Sequence, residues 1–197
     1  NTFQGKLVRG ITTERSNVTI QNNILQTDLI PMGGSFDLGD ALQGIQAQDY
    51  GDRAQQDVTI SGNDIAGSGG SAGFAHGIRI GTAAQALTNI SVVNNIVSDS
   101  DIGILVRASG SQVTLANNSV SGNTAGVSNT SASALDARGN WWGDASGPSG
   151  SGPGTGDSVS ALVTYAPWLG IGTDASPAVP GFQPVSPMTY RTNSSAT

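Results

Sequence analysis

The chain has 197 residues, of which 11% are charged and 37% hydrophobic, and its formal net charge is −6. This length suits one domain of ordinary size, and a single lysine, Lys6, leaves no basic surface for nucleic acid. No apolar run approaches the roughly 20 residues that span a bilayer, so we expect no membrane insertion. Cysteine is absent, which excludes disulfides. The surface, poor in lysine and rich in Ser, Thr and Gly, is typical of secreted or cell-surface proteins, and we expect that location.

A phrase that alternates apolar and polar residues before an asparagine recurs along the chain. Its copies are VTIQNNIL (18–25), VTISGNDI (58–65), ISVVNNIV (90–97) and VTLANNSV (113–120). The shared asparagines, with a fifth that follows LDARG, are Asn23, Asn63, Asn95, Asn118 and Asn140. Alternation with period two predicts strands, and a repeat that shortens to 22 residues predicts a solenoid.

A second phrase, found between these asparagines, places a glycine before Ile or Val. Its glycines are Gly44, Gly77, Gly103 and Gly126. Stacked coils would bury two columns, Ile20 with Ile60, Val92 and Leu115, and Ile45 with Ile78, Ile104 and Val127. We expect each asparagine to turn the chain in the left-handed conformation and to bond its neighbours through its amide. We expect each glycine to permit a second tight corner.

The pattern resembles right-handed parallel β-helix repeat proteins of the pectate-lyase-like superfamily, over about residues 10–169. The resemblance implies an all-β, right-handed parallel β-helix (solenoid) of about five to six coils with three short strands each. This interpretation divides the chain into a β-helix domain at 1–169, including a C-terminal aromatic cap at 139–169, and a Pro-rich extended tail or linker at 170–197. The tail carries Pro177, Pro180, Pro184 and Pro187.

The cap segment, GNWWGDASG through PWL, resembles the closing segment of secreted or surface β-helix proteins of bacteria. Trp141, Trp142 and Trp168 are expected to cover the last coil and end its exposed strand edges. The alternative is that these rings stack on sugars. The first coil has no comparable cover, so we expect the remainder of a longer polypeptide, or another copy, at the N-terminal end.

Two insertions, 26–41 and 66–75, leave the same point of adjacent coils and are expected to wall a groove. The polar residues beside it are the candidate substrate-binding set: Gln46, Gln48, Asp49, Tyr50, Arg53, Arg79 and Arg107. Their mixture of acid, base, amide and aromatic groups fits an acidic or neutral glycan. An ordinary solvated face is the alternative.

Evidence for catalysis in the sequence is thinner. AHGIRIG (75–81) resembles the GHG strand of polygalacturonases, and GILVR places Arg107 at their basic position, so His76, Arg79 and Arg107 are the catalytic candidates. The paired aspartates of that family correspond here to Leu42 and Gln43, so its chemistry does not carry over. Lyases of this fold use a basic residue and often calcium. We expect no cofactor, with Ca²⁺ at Asp99 and Asp101 as the alternative.

The first functional hypothesis is an extracellular β-helix module with a structural or adhesive role that binds a polysaccharide or cell-surface glycan. A lyase or epimerase acting on acidic glycans is the second. A filament built by end-to-end stacking through the first coil is the third.

Overall fold

The computed structural model describes residues 1–29, 42–48, 56–68, 72–82, 87–107 and 112–192, and within these ranges it contains strands and no helix. Each coil adds a strand to three parallel sheets in turn. Sheet A comprises β1 (Thr2–Gly5), β4 (Ile24–Thr27), β7 (Asp64–Gly67), β10 (Ile96–Val97) and β13 (Ser119–Val120). Sheet B comprises β2 (Arg9–Thr13), β5 (Gln43–Ala47), β8 (His76–Ile80), β11 (Ile102–Val106), β14 (Ala125–Asn129), β16 (Pro148–Gly150) and β17 (Gly156–Val159). Sheet C comprises β3 (Val18–Gln21), β6 (Gln56–Ser61), β9 (Thr88–Val93), β12 (Val113–Ala116), β15 (Leu135–Asp136) and β18 (Val163–Thr164).

A short antiparallel pair, β19 (Trp168–Leu169) with β20 (Tyr190–Arg191), follows the solenoid. The three parallel sheets, with five to seven strands each in the described ranges, confirm the prediction of a parallel β-helix. They also place one strand of each coil in each sheet, as the alternating pattern requires.

The core consists of apolar columns that run through successive coils. The register aligns Ile20, Ile60, Val92 and Leu115 in sheet C. In sheet B it aligns Ile45, Ile78, Ile104 and Val127. Both columns are buried, and both were predicted from the sequence. Burying one such side chain contributes about 1.5–3 kcal/mol to stability, so each added coil makes the stack more stable.

The glycine column lies inside the strands of sheet B and does not turn the chain. Gly44, Gly77 and Gly103 have no positive φ. A Cβ at Gly77 would lie 2.7 Å from the carbonyl oxygen of Gly103, and one at Gly44 would lie 2.6 Å from that of Gly77. The predicted corner role is therefore wrong: these positions need glycine because the next coil's backbone occupies the space of a side chain.

Buried asparagines form a ladder at the corner between sheets C and A. The Asn63 Oδ1 accepts from the backbone N–H of Asn23 at 3.0 Å and from its Nδ2 at 2.9 Å. The same pair of bonds links Asn63 to Asn95, Asn95 to Asn118, and Asn118 to Asn140. Each Nδ2 from Asn63 onward also donates to a backbone carbonyl of the preceding coil. The amides thus satisfy backbone groups that the turn leaves unpaired.

The left-handed residue at this corner is the one before each ladder asparagine. Asn22, Gly62, Asn94, Asn117 and Gly139 have φ between 55° and 73°, whereas the ladder residues themselves do not have a positive φ. The expected assignment of the turn conformation to the ladder residue is therefore wrong by one position. Asn and Gly share this column because they are the residues that adopt the left-handed region at least cost.

A shorter polar ladder occupies the corner between sheets A and B. The Asn123 Oδ1 accepts from the backbone N–H of Ser100 at 3.1 Å. The carboxylate of Asp157 in turn accepts from the N–H of Gly122 and from the N–H and Nδ2 of Asn123, at 2.9–3.0 Å. Burial raises the pKa of Asp157 above its ordinary value of 3.8, although the bonds from Asn123 and Gly122 act in the opposite direction.

Two tryptophan rings are part of the core near its C-terminal end. Trp142 is completely buried and Trp168 nearly so, and the Trp168 Nε1 donates to the carbonyl of Ala145 at 3.1 Å. Trp141 instead continues sheet A, bridged to Ser119, and is half-buried. Trp142 and Trp168 therefore present no face to a sugar. At the opposite end, the first-coil residues Leu7, Ile11 and Val18 remain only partly buried.

Residues 170–192, called the arm below, lie against the solenoid and do not run free as the expected extended tail or linker. Phe182 is 1% exposed. Its N–H donates to the carbonyl of Asn94 at 2.7 Å, and the N–H of Gly181 donates to the Asp64 carboxylate at 2.6 Å. Proline-rich composition is compatible with either state, and these long-range partners fix the docked one.

Replacing Asn95 with Ala tests the ladder. The change leaves the backbone N–H and the Nδ2 of Asn63 without their acceptor in a buried site. Since an unsatisfied buried group costs roughly 1–3 kcal/mol, we expect the free energy of unfolding to fall by about 3–5 kcal/mol in urea denaturation. Thr114→Ala, on the exposed outer side of β12, is the control and should change it by less than about 0.5 kcal/mol. Equal losses in the two variants would contradict a structural role specific to the amide.

Asp157→Asn tests the linkage between protonation and stability. The pKa of Asp157 in the folded protein is raised above its ordinary value of 3.8. Its contribution to the free energy of unfolding is therefore complete below pH 3.8 and is lost as the pH rises through the pKa of the folded state. We expect the variant to show a smaller fall in the free energy of unfolding as the pH rises above 3.8. Hydrogen bonds from Ser146 lower the pKa of Asp144, so Asp144→Asn should change the slope in the opposite sense, and only at pH values below 3.8. Urea denaturation at a series of pH values on both sides of 3.8 measures this slope. An unchanged slope in Asp157→Asn would contradict the raised pKa of Asp157.

Candidate functional site

A row of polar side chains follows the outer face of sheet B, across the strands. Register places Gln46 beside Arg79, and Gln43 beside His76. Gln43, Gln46 and His76 are buried, and Arg79 is half-buried. Alternation along β5 and β8 turns Gln46 and Arg79 outward, because Ile45 and Ile78 face the core. Gln43 and His76 lie two residues before these isoleucines and share their inward side. Polar side chains are thus set about 4.8 Å apart, the spacing of neighbouring strands.

The residues just after these strands extend the row. Backbone bonds from Gln48 to Thr13, from Gly81 to Ala47 and from Arg107 to Ile80 continue the ladder by one step. Gln48 and Arg107 therefore flank Gly81, which has no side chain. Both flanking side chains are half-buried. The result is an interruption of the side-chain layer between an amide and a guanidinium.

A chain of amides fixes which way Gln46 faces. The Gln48 Nε2 donates to the Glu14 Oε1 at 2.6 Å, and the Gln46 Nε2 donates to the Gln48 Oε1. A carboxylate accepts and does not donate, so Glu14 sets the orientation of Gln48, and Gln48 sets that of Gln46. Gln46 must therefore present its Oε1 on the side away from Gln48.

The Oε1 of Gln46 is buried and has no hydrogen-bond partner, and Gln46 as a whole is 4% exposed. Burying an amide oxygen without a partner costs roughly 1–3 kcal/mol. A fixed acceptor held in this state is suited to a donor from outside the chain, such as a hydroxyl. Next to it, Arg79 supplies a planar cation with several N–H donors.

The remaining predicted site residues divide into two groups. His76 is the first residue of β8 and is 5% exposed, beside Gln43 and Ile102 in register. Asp49, Tyr50 and Arg53 lie outside the described residues, as do most of the 26–41 insertion and the middle of the 66–75 insertion. The described parts of both insertions connect sheet A to sheet B, so they leave the same corner.

Asp99 and Asp101, the candidate calcium ligands, lie on the turn between β10 and β11 and are exposed. Ser98 donates to the Asp99 carboxylate at 3.0 Å. Ca²⁺ takes about six to eight oxygen ligands, and no group of three or more His, Asp or Glu side chains suited to a metal occurs in the described part of the chain. Two exposed carboxylates on one turn do not fit such a site. Nor do the described residues contain a helix long and apolar enough to cross a membrane.

Glu14 is the participant that sequence reasoning missed. It lies 34 residues before Gln48, directly after β2, and no local pattern connects the two. The signal that identifies it is the strand register, since Thr13 and Ala47 are paired.

Comparison with known proteins identifies a family. A model for proteins described as "Protein of unknown function (DUF1565)" matches residues 1–148 of the 197. No curated protein and no solved structure matches the chain. A match over this share of the sequence is enough to assign membership, so the chain belongs to the DUF1565 family.

Proposed function

We propose that this β-helix is an extracellular or cell-surface module, part of a longer protein, that binds an acidic, hydroxyl-rich glycan on the outer face of sheet B. The observation that carries the proposal is the buried, unpartnered Oε1 of Gln46 beside Arg79. Three strands per coil and an asparagine ladder support, in addition, a place in the pectate-lyase-like superfamily.

The chemistry of the row suits a sugar with both hydroxyl and carboxylate groups. A hydroxyl donates to the Gln46 Oε1 and removes the cost of leaving that oxygen unpaired. The guanidinium groups of Arg79 and Arg107 bind a carboxylate through paired N–H donors. On a chain of net charge −6, two arginines on one face provide local attraction for an anionic ligand.

The scaffold fixes the backbone of the site, although the buried Oε1 of Gln46 must become accessible before a ligand can reach it. Gln46 and Arg79 belong to strands hydrogen-bonded on both sides within sheet B, and the amide chain from Glu14 holds Gln46 in one orientation. A site fixed before the ligand arrives loses little side-chain entropy on binding. The same rigidity is what a structural or adhesive role requires.

Arg79→Ala tests the site. We expect it to weaken binding to uronate-containing polysaccharides by at least tenfold in calorimetric titration, a loss of about 1.4 kcal/mol, since a charge-assisted pair is removed. Gln46→Leu should weaken binding by a similar factor, and the affinity of the native protein should fall as salt is added. The matched control is Arg138→Ala, because Arg138 is an exposed arginine paired with Asp136 at 2.7 Å on sheet C.

Equal affinity in Arg79→Ala, Arg138→Ala and the native protein would contradict this site. Mass spectrometry of the same incubations separates binding from catalysis. We expect the polysaccharide to remain intact. New unsaturated oligosaccharides would instead show that the protein is a lyase whose activity involves the same row.

A further inference from the structure

The arm crosses coils that are not neighbours in the stack. Its two ends are held together at the last coil, where β19 pairs with β20 and the N–H of Gly170 donates to the carbonyl of Thr189 at 2.8 Å. Leu169 is itself bonded to the carbonyl of Asn140, the last residue of the ladder. The arm is therefore a long loop that starts and returns at the C-terminal end of the solenoid.

The tip of the arm docks several coils away. Asp64, Ile96, Ser119 and Trp141 are successive neighbours on the outer face of sheet A. Gly172 lies against Trp141, with no room for a Cβ between them, while Gly181 is bonded to Asp64. Three steps of about 4.8 Å separate these contacts, so the arm spans about 14 Å along the solenoid.

The tip contact is small and built for one position. Asn94 bonds Phe182 twice, accepting from its N–H at 2.7 Å and donating from Nδ2 to its carbonyl at 3.0 Å. Gly181 has φ +88° and lies too close to Gly62 for any side chain. The Asp174 carboxylate accepts from the N–H groups of Ser176 and Gln183, which closes the loop behind the tip. Val179, next to this loop, is half-exposed and shares none of these contacts.

Contacts of this kind change how a solenoid opens. In a stack of coils each coil touches only its neighbours, so stability is a sum of local terms and the ends fray one coil at a time. While a tie joins two coils that do not touch, neither these coils nor the coils between them can separate. The tie therefore joins them into one cooperative unit.

We propose that the arm is a clasp that makes the coils from Asp64 to Trp141 open together. The contacts of the clasp lie on sheet A, away from the polar row of sheet B. The proposal is independent of any ligand of that row. Release needs the loss of only one buried ring and three hydrogen bonds, so the clasp can open without unfolding the earlier coils.

Hydrogen exchange of the full chain, read by mass spectrometry and NMR, tests the clasp with Phe182→Ala. The amides of Ile96, Ser119 and Trp141 bond carbonyls of the preceding coils, so they report the opening of successive coils. In the native protein the clasp predicts one shared opening free energy for the three amides. In the variant we expect them, and the amide of residue 182, to exchange at least tenfold faster and no longer together, with the amide of Trp141, nearest the end of the stack, the fastest. Val179→Ala should leave them unchanged. Faster exchange confined to the arm would overturn the proposal, because the arm would then be docked without coupling the coils.

A second pair of variants keeps the test decisive if Phe182→Ala fails to fold. Asp64→Asn retains an oxygen acceptor for the N–H of Gly181, whereas Asp64→Ala removes it. The clasp predicts faster exchange that is no longer concerted in Asp64→Ala, and little change in Asp64→Asn. Identical behaviour of the two would contradict the tip contact as the tie.

Discussion

The buried amide ladder is the interaction on which the rest of this structure depends. At the corner between sheets C and A the chain turns sharply, and the N–H of each ladder residue has no strand partner. The next coil's side-chain oxygen replaces that partner. Only an amide offers an acceptor to one coil and donors to the other at the same time. The ladder therefore fixes the register of every coil, and with it the alignment of the apolar columns.

The polar residues of sheet B lie near a different corner, between sheets A and B, where the length of the connection varies from coil to coil. Close approach of Gly44, Gly77 and Gly103 fixes the inner path of sheet B, but the connections that enter it from sheet A vary in length between coils. Gln43 and His76 lie at that entrance, each directly before a glycine of the column. Side chains suited to binding or catalysis thus occur at the corner where the length of the connection varies. The corner between sheets C and A, which the asparagine ladder fixes, carries no such candidates.

Much of the fold could be predicted, because strand alternation is local and the repeated asparagine sets the register. The left-handed position was missed since Asn22–Asn23, Asn94–Asn95 and Asn117–Asn118 fit either assignment. The glycines before Asn63 and Asn140 were the available signal. The arm and the contribution of Glu14 depend on partners far apart in the sequence, which no local pattern reveals. For the proposed site, strand alternation predicts that Gln46, Gln48, Arg79 and Arg107 share one side of the coil, but the direction in which Gln46 faces required the register.

The position of the tryptophans at the C-terminal end of the solenoid has a consequence for spectroscopy. The chain's three tryptophans are Trp141, Trp142 and Trp168, and all lie at that end, two of them shielded from water. Tryptophan fluorescence, excited selectively, will therefore report the melting of the last coils alone, while far-ultraviolet circular dichroism averages over every sheet. Curves from the two methods coincide only if the whole stack melts in one transition. The protein thus contains its own optical probe of one terminus.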